Sequence, residues 1–91
     1  MKFGFSPEKS QTNKKKHGID FVEAQDIWSD PNLIRDVPDN LRGGEQYWLA
    51  VGTRLGQLWT MIYNIRFRMI WIVSVRRSRD YEKEQYEALK D

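Results

Sequence analysis

The sequence predicts a small α+β domain: two N-terminal helices, an antiparallel sheet of three to four strands, and a C-terminal helix. Three observations carry that expectation. The first thirty residues hold helix punctuation, with Ser6-Pro7 before one polar run and Gly18 then Asp20 before a second run. The middle holds three apolar runs joined by connections short enough for hairpins. The last fifteen residues mix acids and bases as a solvated helix does. Helices gathered against one antiparallel sheet bury both sets of apolar side chains in one core.

Each element has its own reason. Ser6 can cap a helix and Pro7 suits its first position, where a missing N–H is not needed. That helix runs through QTNKKKH and stops at Gly18, the residue that most easily takes a left-handed turn. Lys14, Lys15, Lys16 and His17 then sit at the negative end of the helix dipole. Asp20 and Glu23 outline a capping box for a second helix, with Phe21, Ala24, Ile27 and Trp28 at helical spacing. Pro31 ends it, because the residue before a proline avoids the helical region. Leu33 to Val37 forms a candidate short strand, and residues 38–45 read as loop. Residues 46–52 and 57–65 alternate apolar side chains, and residues 68–75 are apolar on both faces, as in a central strand. Connections of hairpin size make the three an antiparallel meander. On the terminal helix, Glu82 is spaced to meet Tyr86, and Glu87 to meet Lys83 or Lys90.

Ninety-one residues make one domain, residues 1–91, with a thin stability margin. The absence of cysteine removes disulfides and thiolate metal sites and suits a reducing, cytoplasmic setting. The apolar run from Met69 to Val75 is too short to span a bilayer, and the N-terminus lacks the apolar core of a signal peptide. Charge is segregated along the chain. Residues 1–19 hold five lysines against one glutamate, and residues 46–79 hold six arginines and no acid. Residues 20–45 hold seven acids against two arginines, and residues 80–91 five acids against two lysines. Such blocks favour an anionic ligand at one surface, with a steeply salt-dependent affinity if that ligand is RNA, and a protein partner at another.

The stretches FGFSPEK, Asn13, KHGIDFVEA, Trp28 and the following DP, GEQYWLAVG, IVSVRRS and Tyr86 together resemble the BrnT family of small bacterial toxins, nearly end to end. The resemblance implies a RelE-like fold and a ribonuclease that inhibits translation. It also implies a BrnA-like antitoxin protein as partner, through which the complex reaches operator DNA. The family usually carries arginine where this chain has Tyr47 and Trp71, and a tryptophan and aspartate where it has Phe5 and Ser6. A chain with fewer cations could instead be a weak catalyst that serves mainly as an antitoxin-binding module and co-repressor.

RNA cleavage of this kind needs no metal or cofactor: the 2′-hydroxyl attacks the adjacent phosphate. The protein must take one proton, neutralise the crowded phosphorane and return a proton to the leaving oxygen. One histidine and no cysteine cannot build the common transition-metal sites. The candidate catalytic residues are His17, Glu23, Arg66 and Arg76; the candidate RNA-binding residues are Lys16, Arg77, Arg79 and Tyr86. Arginine suits phosphate because its planar fork holds two oxygens and stays charged. The same arginines could form a solvated rim, or salt bridges to the acidic terminal helix. Arg66 and Arg76 fall at opposite ends of a hairpin, roughly 25 Å apart at about 3.3 Å per residue. His17 and Lys16 have a plain reading as a helix end, and Glu23 as a capping residue. Tyr86 is spaced either to stack a base or to pack its helix, and Trp59 or Trp71 on an open sheet face could meet the antitoxin.

Overall fold

The computed structural model describes residues 2–90. Its elements are β1 (Phe3–Phe5), α1 (Pro7–His17), a 3-10 helix (Glu23–Ser29), β2 (Ile34–Pro38), β3 (Trp48–Arg54), β4 (Gln57–Arg66), β5 (Met69–Arg77) and α2 (Asp80–Leu89). The five strands form one mixed sheet in the order β1-β5-β4-β3-β2. Strands β2 to β5 are antiparallel neighbours, and β1 pairs with β5 in parallel. No helix among the described residues is long and apolar enough to cross a membrane.

The fold corrects the expectation in three places. The sheet has five strands and is mixed, because Phe3–Phe5 adds a short edge strand ahead of the first helix. Only one of the two N-terminal helices is α-helical. The capping box forms, with Glu23 N donating to Asp20 Oδ1 (2.7 Å) and Asp20 N to Glu23 Oε1 (3.0 Å). The seven residues that follow, up to the turn at Asp30, are wound as a 3-10 helix. Third, β4 rather than β5 lies at the centre, and Trp59 through Asn64 are buried on both faces.

α1 follows its capping signals. Ser6 Oγ accepts from Lys9 N, and Gly18 sits at φ 80° with its N–H on Lys14 O. This helix carries no apolar stripe, so burial of its own face cannot hold it in place. Its two buried residues, Ser10 and Asn13, dock it through hydrogen bonds: Ser10 Oγ accepts from Phe21 N at 2.9 Å. The core lies between the sheet and the segment after α1. Ile19, Phe21, Ala24 and Ile27 pack on Ala50, Trp59, Met61, Tyr63, Ile70, Ile72 and Val75. Gly52 permits the closest approach, since a Cβ there would stand 2.8 Å from Ile27 Cγ2. α2 closes one corner of the opposite sheet face.

Candidate functional site

β1 covers the outer side of β5 only from Ile70 to Ile72. Beyond that point the outer side of β5 has no strand beside it, and α1 takes the place of one. The Asn13 side chain behaves as a single strand residue. Its Nδ2 donates to Val75 O (2.9 Å) and to Ile19 O (2.8 Å), and its Oδ1 accepts from Val75 N (3.1 Å). Between these residues β5 carries a bulge. Tyr63 faces Ile72 but Ile62 faces Ser74, so Val73 is the extra residue. A bulge re-aims the side chains that follow it. Val73 and Ser74 thereby line a groove of about 190 Å³ together with Lys9, Asn13, Lys16 and His17. Lys9, Lys15 and Lys16 make no ion pair with any described residue, which leaves this edge cationic.

Two residues past Ser74, on the same face of the strand, stands Arg76. Its guanidinium is held in a two-pronged pair: Nη1 donates to Glu82 Oε1 (2.8 Å) and Nη2 to Glu82 Oε2 (2.9 Å). Glu82 is 2% exposed and also accepts from Thr60 Oγ1 (2.9 Å) and from Arg79 N (2.7 Å). The Ser78 hydroxyl lies 2.9 Å from that of Thr60. Burial works against the charge on Glu82. The bonds from Arg76, Arg79 N and Thr60 outweigh it and hold the carboxyl below its ordinary range. The Glu82 hydrogen bond in turn raises Arg76 above the ordinary arginine value. Of the two arrangements open to the arginines, Arg76 therefore takes the salt bridge to the terminal helix. Glu82 was expected to meet Tyr86 and turns to Arg76 instead, because N3 of α2 points back over the sheet. Glu87 does pair with Lys90, at 3.0 Å.

The other candidate residues disperse. Arg77 opposes Trp59 across the ladder, and its guanidinium lies 5.4 Å from that ring, on the face opposite Arg76. It borders a second hollow with Lys83, Glu87 and Lys90. Arg79 is exposed at the start of α2. Arg66 opposes Met69 at the far end of the hairpin, seven residues along β5 from Arg76, or about 23 Å. It lies over Trp71, 5.5 Å from the ring, with Nη2 3.3 Å from Glu45. Tyr86 is 4% exposed, and its hydroxyl donates to Asp30 at 2.7 Å, so its ring packs in this conformation. Burial foremost, then that hydrogen bond, raises Tyr86.

Glu23 is tied on three sides: Lys14 Nζ at 2.8 Å, Asp20 N at 3.0 Å and Arg54 Nη2 at 3.8 Å. The Lys14 hydrogen bond is the largest cause of its depression to about 2, from an ordinary value of 4.5. A carboxyl depressed by folding adds stability above its unfolded pKa and loses it as acid approaches the folded value. Glu23→Gln is therefore expected to lower the urea midpoint at pH 7, and the gap from the parent chain should close between pH 4.5 and 2. A gap of constant size across that range would show that the carboxylate's charge has no part in holding the turn.

Several contributors escaped the sequence reading. Asn13 stood out only through the family resemblance, and Thr60 as one member of an alternating strand. Glu82 had a signal, an acid three residues after Arg79 at the start of a helix, which is where a carboxylate meets free backbone N–H groups.

No curated protein matches this chain. A family model described as the ribonuclease toxin, BrnT, of type II toxin–antitoxin systems matches residues 5–82. That span holds α1, the Asn13–Val75 clasp, strands β2 to β5, and α2 as far as Glu82. The chain belongs to the BrnT family of ribonuclease toxins.

Proposed function

We propose that this chain is a metal-independent endoribonuclease that inhibits translation and is silenced by a BrnA-like antitoxin protein, with operator DNA reached only through that partner. One observation carries the reading. Lys16, His17 and Ser74 line one cationic groove, and the Arg76 guanidinium, fixed by a buried carboxylate, stands two residues farther along the same strand. In the proposed reaction the 2′-oxygen of RNA bonds to the adjacent phosphorus as the bond to the 5′-oxygen breaks. The products are a 2′,3′-cyclic phosphate and a 5′-hydroxyl. His17 exchanges the proton, since one imidazole nitrogen can accept a proton and return it. Lys16 and Arg76 neutralise the phosphorane, and Glu82 keeps Arg76 oriented. Arg79 extends the phosphate track, while Arg77, on the other sheet face, offers a separate cation beside Trp59. Glu23 acts by fixing the turn that carries His17, through Lys14. Tyr86 acts by anchoring α2 through Asp30.

Bulk RNA incubated with the purified chain should be cut at the same rate with and without EDTA. His17→Gln, a change at a partly exposed position, should slow cutting by about 100-fold or more. Cleavage abolished by EDTA, or unchanged in the variant, would remove this mechanism.

A second reading has its own observation. Arg76 is already matched by Glu82 and Arg66 by Glu45, so two of the arginines meet RNA with their charge partly spent. On that reading the chain is a weak catalyst that mainly binds its antitoxin and co-represses. Tight antitoxin binding without cleavage of any RNA would favour it.

A further inference from the structure

The turn joining β4 to β5 has two central residues, Phe67 and Arg68, at φ 52° and 60°. Both lie in the left-handed region, which a two-residue hairpin of this type needs and which asparagine and glycine fill at least cost. Two other tight turns of the chain meet that need with glycine: Gly43 and Gly44 between the paired Arg42 and Glu45, and Gly56 following Leu55. Phenylalanine followed by arginine is among the poorer choices for such a turn, so local backbone preference does not explain them. Core packing does not explain them either, since Phe67 is 86% exposed and the neighbouring Ile65 is 52% exposed. Strained backbone beneath an aromatic ring in solvent directs attention to what the ring could touch.

The surroundings say what that is. Arg68 makes no ion pair or hydrogen bond through its side chain with any described residue. Arg66 leans on Trp71 with its Nη2 3.3 Å from the exposed Glu45, and its Nε has no hydrogen-bond partner. No acid occurs between Gln46 and Arg79. An exposed aromatic ring between two arginines matches the chemistry of single strands: the ring stacks on a base and the guanidinium groups meet the flanking phosphates. On the same sheet face, Trp71, Ser74 and Arg76 continue from this tip toward the His17 groove.

We propose that the β4–β5 turn is a second contact for single-stranded RNA, in which Phe67 stacks on an unpaired base and Arg66 and Arg68 hold the adjoining phosphates. The proposal rests on RNA as the substrate and gives the substrate class as single-stranded, anchored about 23 Å from Arg76. A protein partner is the rival occupant.

Phe67→Asn combined with Arg68→Gly tests it, because the changes act in opposite directions on fold and on binding. The Asn-Gly pair suits the turn, so the melting temperature should hold or rise. Affinity for an unstructured, fluorescein-labelled 2′-O-methyl oligonucleotide, read by fluorescence anisotropy, should fall by about tenfold or more. The slope of log affinity against log salt should flatten by about 0.7, for the one phosphate that Arg68 no longer neutralises. Phe67→Trp should keep parental affinity. Unchanged RNA affinity in the double variant would overturn the proposal, as would failure of the parent chain to bind the oligonucleotide. Weakened antitoxin binding with intact RNA binding would assign the turn to a protein and overturn it too. The oligonucleotide cannot be cut, so a chain that binds it in this manner yet cleaves nothing fails the ribonuclease reading alone.

Discussion

Replacing Arg76 by alanine is expected to unfold much of the protein as well as silence it. The substitution leaves the Glu82 carboxylate 2% exposed with its cation gone. Breaking one side of a buried pair costs about 3–5 kcal/mol. A small domain holds about 5–15 kcal/mol in total, and a chain of this size belongs near the lower end. Loss of toxicity in Arg76→Ala therefore says little about chemistry. Arg76→Met with Glu82→Gln separates the two roles. Glutamine keeps an oxygen for Thr60 Oγ1 and Arg79 N, and no charge is left buried. This double variant should melt within a few degrees of the parent chain, while RNA cleavage stays depressed by about 100-fold or more. A folded double variant that cuts RNA at the parental rate would reduce the Arg76–Glu82 pair to a structural clamp.

Asn13→Leu should be the most damaging single change on α1. Leucine has a similar volume, but it leaves Val75 N, Val75 O and Ile19 O without their partner in a buried setting. Each orphaned group costs about 1–3 kcal/mol, and some relaxation will recover part of the sum, so about 3 kcal/mol is expected. That corresponds to a melting temperature lower by about 12–24 °C in a domain of this size. α1 has no apolar stripe to fall back on, so the loss should also loosen the helix end carrying Lys16 and His17. Hydrogen exchange at the Val75 N–H, which donates to Asn13 Oδ1, and at the Gly18 N–H, which donates to Lys14 O at the helix end, read beside the melting curve checks both parts. Stability within about 1 kcal/mol of the parent would show that the side-chain amide does not complete the sheet edge.

What could be read from the chain and what could not divides along sequence distance. α1 was legible to the residue, since Ser6, Pro7 and Gly18 act on backbone within one turn of themselves. The meander β3–β4–β5 was legible because apolar alternation and short connections are local signals. β1 was not: three residues carry no periodicity, and their partners lie more than sixty positions away on β5. The second helix was read from a capping box that does form, yet a box marks where a helix begins and not how it continues. The candidate site shows the same division. Lys16 and His17 were found by charge and by the glycine stop beside them. The clasp of Asn13 on Val75 and the pairing of Arg76 with Glu82 depend on which residues the sheet brings together. The φ signs at Phe67 and Arg68 were hidden too, since residues of that size usually avoid them.

The most direct test of where RNA meets this protein is a nitrogen-15 NMR titration with an uncleavable 2′-O-methyl oligonucleotide. The expected result is a contiguous set of shifted amides at Lys16, His17, Ser74, Arg76 and Arg79, with a second set at Phe67 and Arg68. Shifts confined to other surfaces, with Ser74 to Arg79 unmoved at saturation, would contradict the placement of RNA along the final strand.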